Sequence, residues 1–196
     1  MSGQRRTRLS PEARKKQLLV VAIDLFAEKG IGEAKHADIA RRSGMSTAST
    51  FVYFPTRDAL LLDVSDEVSR YFLALFDGVQ PEKGGAAAIL RELAGRMLHA
   101  EDEHPNYVRV LLGFSTRFDK QLRDRYLAFQ GELLTKVSEI IWAHSGLPRQ
   151  DNRDDARILL SASQALAQMK LDGEPDEKLK RFIDHTIDVV LAFSSK

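Results

Sequence analysis

No cysteine occurs among the 196 residues. Disulfide scaffolds, thiolate metal sites and cysteine nucleophiles are therefore excluded, and the composition suits a reducing compartment. Long hydrophobic runs are missing as well. No uncharged apolar stretch is long enough to span a membrane, and the opening segment MSGQRRTRLSPEARKK leads into an amphipathic run rather than a signal-peptide core. The expected location is the cytoplasm, with no membrane partner. Alternating strand patterns, internal repeats and low-complexity tracts are also lacking. So are a phosphate loop, a Gly-x-Ser-x-Gly elbow and a His-Glu-x-x-His motif. The chain is not expected to be an enzyme, and no cofactor is expected.

What is present describes an ordinary folded protein of one or two domains, with 43% hydrophobic and 29% charged residues. The net charge of +1 hides an uneven distribution. From Met1 to Arg57 there are 11 Lys/Arg against 5 Asp/Glu, and beyond Arg57 there are 18 against 23. A basic front on an acidic body suits a segment that meets a polyanion while the body stays soluble.

The periodicity is helical throughout. Ser10 before Pro11 is a helix start, Leu18, Val21, Ala22, Leu25 and Phe26 fall on one face, and Gly30 ends the run. Short helices are expected over about 36–43 and 47–54, separated by Gly44 and halted near Pro55. A connecting helix follows over about 57–77, and further helices over about 86–100, 107–112, 119–144, 153–171 and 175–194. The fold class is all-α. A small basic N-terminal three-helix unit over 1–57 is joined to a larger helical body over 58–196.

The stretch KHADIARRSGMSTASTFVYF, residues 35–54, has the composition of a helix-turn-helix. Ala40 permits a close helix crossing, Gly44 makes the turn, and the second helix is narrow enough for a major groove. Ser46, Thr47, Ala48 and Ser49 let its N-terminus approach a duplex, with amides toward phosphate and hydroxyls and methyls toward base edges. Val52 continues that face. Phe51 and Phe54 are expected to turn inward, and the Tyr53 hydroxyl and Arg57 to reach phosphate. Lys35 and His36, at the start of the first of these helices, complete the candidate DNA contacts in this stretch. A nonspecific nucleoid-type binder accounts for the basic front but not for the large acidic body.

With the FVYF cluster before Pro55, the downstream Arg57 and the RRTR arm, this segment resembles the DNA-binding domain of the TetR family. The stretches RTRLSPEARKKQL, FAEKGIG, HADIA and FPTRDAL are similar to those of one branch, the LuxR/HapR/SmcR group of vibrio quorum-sensing master regulators. The likeness is strong over roughly the first third of the chain and weaker through FSTRFDKQLRDRY to the C-terminal helices. It implies a homodimeric repressor-type transcription regulator on a palindromic double-stranded operator. It also implies an arginine arm in the minor groove, and Arg6 and Arg8 fall on the matching positions, as suits a narrow electronegative groove. Three positions depart from the group. Val52 stands where it tends to carry asparagine, Thr50 where a larger aliphatic is usual, and Lys35 where it has glycine.

The resemblance further implies dimerisation through the last two helices. The sequence permits this independently, with Ser161, Ala162 and Ala165 among Ile158, Leu166 and Met169, and a broad apolar stripe on the last helix. It also implies a small-molecule effector cavity beneath the connecting helix. Candidate lining residues are Phe72, Leu73, Phe76, Met97, Leu111, Phe114, Tyr126, Gln130 and Leu133, with Tyr126 and Gln130 one turn apart to orient a ligand. HAEDEHP gathers His99, Glu101, Asp102, Glu103 and His104, but its charge density and Pro105 mark a solvated helix end, and no metal is expected there.

Overall fold

The computed structural model describes residues 9–117, 119–145 and 153–193. Among these residues every regular element is an α-helix. Helix α1 (Pro11–Lys29) begins where the Ser10 hydroxyl accepts from the Ala13 amide at 3.2 Å, and it ends at Gly30, whose φ of 90° few other residues adopt. Helix α2 (His36–Ser43) ends at Gly44, which takes the left-handed conformation at φ 66° and sends the chain straight into α3 (Thr47–Tyr53). The Ser46 hydroxyl caps α3 by accepting from the Ser49 amide at 3.1 Å. Phe54 stops it by leaving the helical conformation, which Pro55 disfavours in the residue before it.

Helix α4 (Arg57–Ala74), capped by Thr56, carries Leu60, Leu61, Val64 and Val68 into the core. It ends earlier than the apolar spacing suggests. Leu75, Phe76 and Asp77 donate to carbonyls three residues back, at 3.2, 3.1 and 3.0 Å, so the last turn tightens before Gly78 reverses the chain. Helix α5 (Ala86–Glu103) runs a turn further than expected because its charged end is stopped only at His104, ahead of Pro105. Then come α6 (Pro105–Ser115), α7 (Lys120–Ser145), α8 (Arg153–Leu171) and α9 (Asp176–Phe193).

One apolar core begins in α1 and α2, passes through Phe54 and α4, and continues into α6 and α7 through Val108, Phe114 and Phe129. A second lies among α5, α7, α8 and α9, around Leu90, Val137, Ile141 and Ile187. Arg91 of α5 pins α9 by donating to Asp184 at 2.7 Å and Asp188 at 2.5 Å. At the junction, Asn106 of α6 donates to Asp24 of α1 at 2.8 Å, and Gly113 lies so close to Ile31 that a Cβ there would stand 2.8 Å from the Ile31 Cδ1. The N-terminal helices are thus seated on the body through both α4 and α6.

Candidate DNA interface and effector cavity

Helix α3 presents Ser46, Thr47, Ala48 and Val52 to solvent, with Ser49 and Tyr53 half-buried beside them. Val52 is 79% exposed, which no core role explains. Its neighbour two residues back is the reverse. Thr50 is fully buried and donates its hydroxyl to the Thr47 carbonyl at 2.7 Å, so the opposite face of α3 is small because it lies flush against the core.

Three expectations change here. Phe54 is fully buried, as expected, but Phe51 is 45% exposed and does not turn inward. It stacks on the His36 ring at 4.3 Å with the planes 11° apart, on the same face of α3 as residues 47, 48 and 52, where the packing of α3 against α2 leaves it in the open. His36 is not an open contact. It is buried, and its Nε2–H donates to the Phe54 carbonyl at 2.8 Å, closing the end of α3 onto the start of α2. Arg57 is not a free guanidinium. It lies against the Phe26 ring, 5.5 Å from the centroid, and donates to the carbonyls of Ile31 and Ala34. Burial, with the Arg117 guanidinium nearby, lowers its pKa. Arg57 thereby satisfies the two carbonyls of the α1–α2 loop and fixes how α2 and α3 sit on α4.

Lys35 remains exposed, and its φ of −120° is open to any residue, so lysine is admissible where the resembling group has glycine. Its amide donates to Asp38 at 3.0 Å. Asp38 also accepts from Lys29 at 2.7 Å and Arg41 at 2.6 Å. The Lys29 hydrogen bond, then the Lys35 amide, hold its carboxyl down at about 2. Arg41 is left 75% exposed at the end of α2. Arg6 and Arg8 lie outside the described residues.

The body holds a chamber of about 140 Å³ bounded by α4 to α9. Of the expected lining, Phe72, Phe76, Met97, Leu111 and Leu133 are there. Sequence reasoning missed Phe129 of α7, and Leu160, Ser163, Phe182 and Ile183 from α8 and α9, because the lining of five or six helices has no single period to read. The lining is otherwise apolar but for Ser163, whose hydroxyl is already committed to the Leu160 carbonyl at 2.8 Å, and Thr186, so this chamber offers a guest little that is polar. Leu73 and Phe114 line neither this chamber nor the smaller one beside it: Leu73 is half-buried against the core and Phe114 lies within it.

Tyr126 and Gln130 line a second, smaller chamber of about 40 Å³. The Tyr126 hydroxyl accepts from Gln130 at 2.7 Å and from Gln164 of α8 at 2.9 Å. Burial raises the Tyr126 pKa against the opposing effects of Gln164, Arg123, Gln130 and Ser115. Gln164 was overlooked, yet an amide among the small and apolar residues of SASQAL was a readable sign. His99 and Glu103 stand 3.3 Å apart on an exposed turn, and among the described residues no three metal-ligating groups converge. No described helix is long and apolar enough to cross a membrane.

On this geometry the comparisons with known proteins can be placed. The model of the tetR family of bacterial regulatory proteins matches residues 18–64, which cover α2, α3 and the flanking halves of α1 and α4. The HTH-type transcriptional regulator LuxR of Vibrio harveyi is 51% identical over 67 residues, 34% of this chain and 33% of LuxR. The HTH-type transcriptional regulator RutR of Escherichia coli K12 is 26% identical over 136 residues, 68% of this chain and 64% of RutR. The matched segments thus span about one third and just under two thirds of those relatives. A transcriptional regulator from Rhodococcus sp. Rha1 has a crystal structure that superposes with a TM-score of 0.81 at 20% identity, covering 93% of this chain and 98% of that one. The segment holding the helix-turn-helix is thus similar in sequence to the DNA-binding part of tetR-family bacterial regulatory proteins, and the described helices share the fold of the Rhodococcus regulator.

Proposed function

We propose that this chain is a sequence-specific, DNA-binding transcriptional regulator that acts as a homodimer on a palindromic operator and is modulated by a small apolar effector. The observation that carries the reading is the outward face of α3. Thr47, Ala48, Phe51 and Val52 form a narrow, mostly apolar strip with hydroxyls at its N-terminal end, held rigid from behind by Phe54, His36 and Arg57. Such a strip suits thymine methyls and base-edge hydrogen bonds in a major groove. The exposed Arg41 and Lys35 suit the flanking phosphates.

Dimerisation is supported by the outer face of α8 and α9. Ile158 is 52% exposed, Val189 42% and Phe193 68%, with the small Ser161 and Ala165 exposed between them. A second copy would cover that face and set two recognition helices about one DNA turn, roughly 34 Å, apart. Effector control is supported by the chamber against Phe72 and Phe76, at the far end of the helix whose first residue is Arg57. The likeness to LuxR over the DNA-binding segment supports a quorum-sensing-like circuit.

The test is selection of bound sequences from random duplexes, followed by titration against salt. A single palindromic motif should emerge, and affinity for it should fall about a thousandfold or more between about 50 and 200 mM salt, as expected when about 6 to 10 phosphates are neutralised. Equal affinity for selected and random duplexes would overturn the reading.

A further inference from the structure

The two chambers adjoin. Met97, Leu111, Phe129, Leu133, Leu160 and Ser163 line both of them. The larger is apolar, and its volume of about 140 Å³ is close to the roughly 150 Å³ cavity of hydrocarbon side chains that accepts benzene. The smaller adds about 40 Å³ and is lined by the phenol and amide groups the larger lacks, Tyr126, Gln130 and Gln164.

These three form one hydrogen-bonded unit bridging α7 and α8. The two glutamine N–H groups fill the acceptor positions of the Tyr126 oxygen. The phenol also has the Ser115 hydroxyl within hydrogen-bonding reach of its O–H, which a guest's head would compete with, and each glutamine carries a second N–H and an amide oxygen. Tyr126 is 5% exposed, so a guest meets these groups in a site shielded from water, where a hydrogen bond made or missed counts for more than on the surface. Neither chamber is lined by a lysine, arginine or histidine. A carboxylate or phosphate entering here would lose its hydration without gaining a counter-charge.

We propose that the effector is a neutral amphiphile, an apolar body of about six to eight carbons bearing one uncharged hydrogen-bonding head, and that Tyr126, Gln130 and Gln164 read that head. This rests on the reading of the larger chamber as an effector site. Gln164 is the specificity residue contributed by α8. Because α8 also carries the exposed Ile158, Ser161 and Ala165 face, head recognition and subunit pairing act on one helix.

The experiment uses the full chain and four matched probes, ethylbenzene, acetophenone, 1-phenylethanol and benzoate, titrated calorimetrically into wild type, Tyr126→Phe and Gln164→Leu. The quantity read is the ratio of acetophenone to ethylbenzene affinity, which cancels effects on the apolar body and isolates the head. That ratio should fall at least tenfold in each variant, with 1-phenylethanol following acetophenone, and benzoate should bind wild type at least tenfold more weakly than acetophenone. A ratio unchanged within about twofold in both variants, while ethylbenzene binds, would remove the head subsite and leave the effector chamber standing. Benzoate binding tightest of the four would overturn the neutral class. Failure of every probe to bind wild type would overturn the effector reading and this inference with it. If Tyr126→Phe does not fold, as judged by circular dichroism, Gln164→Leu decides.

Discussion

Replacing Glu101 by glutamine should make the protein more stable at neutral and alkaline pH, and the reason lies in where its carboxylate sits. Glu101 is 4% exposed near the end of α5, and both its oxygens are shut off from water without a hydrogen-bond partner. Lys170, the cation that acts most strongly on it, is committed to Asp102 at 2.9 Å and Asp176 at 3.6 Å. Burial is the main cause pushing the Glu101 carboxyl up to about 7, with Asp102 adding to it and Lys170 and Arg109 opposing. The folded state therefore holds this proton more tightly than the unfolded chain, whose glutamate titrates near 4.5.

The sign follows from linkage. Below about pH 4.5 Glu101 is protonated in both states and causes no pH-dependent loss. As pH rises from there toward about 7, the unfolded chain releases the proton first and stability is lost, by up to about 1.4 kcal/mol per pH unit. Above about 7 the loss levels off near 3 kcal/mol. Glutamine has the same shape and no proton to release. Glu101→Gln should match wild type within about 1 kcal/mol at pH 5 and exceed it by about 2 to 3 kcal/mol at pH 8, equivalent to roughly 5–10 °C in Tm. Urea unfolding at fixed protein concentration between pH 5 and 8, with the slope checked for constancy, measures the difference directly. Carboxylates that titrate lower, such as Asp38, cancel between the two proteins. A stability difference independent of pH over this range would show that Glu101 is ionised and solvated in the folded protein, and the reasoning would fail.

Arg57→Ala should cost about 2 to 4 kcal/mol in urea unfolding, because the carbonyls of Ile31 and Ala34 lose a charged donor. Arg57→Lys should recover less than half of that, since an ammonium lacks the fork that bridges two carbonyls. Weakened DNA affinity with unchanged stability would instead make Arg57 a phosphate contact. Val52→Asn should leave stability within about 0.5 kcal/mol, as the side chain is 79% exposed. It should move preference at one symmetric base pair by about 1–3 kcal/mol, read from selected motifs. An unaltered motif would place Val52 away from the bases. Gly113→Ala should be neutral within about 1 kcal/mol, because the helix gains propensity while the flexible tip of Ile31 moves aside. Gly113→Leu should lose about 1–3 kcal/mol by forcing α6 off the α1–α2 loop. Equal stability of both variants in thermal melts would mean that contact is not tight.

The amino-acid sequence by itself determined the features whose physics is local. Ser10 before Pro11, Ser46 before the small run and Gly44 at positive φ act within four residues of themselves, so the starts, the turn and the all-helical character were legible in the order of residues. The outward position of Val52 and the burial of Phe54 followed from helical spacing and a following proline. Tertiary structure alone decided the rest. Phe51 and Phe54 are the same residue type three apart, and only the angle at which α3 lies on α2 leaves one stacked in the open and the other in the core. Arg57 spans 23 and 26 residues to reach its carbonyls, and nothing in its neighbourhood along the chain separates that role from a phosphate contact. The two chambers are made by helices far apart in sequence, with Gln164 lying 38 residues from Tyr126. A cavity is the space side chains fail to fill, and that is set by how whole helices pack rather than by the pattern on any one of them.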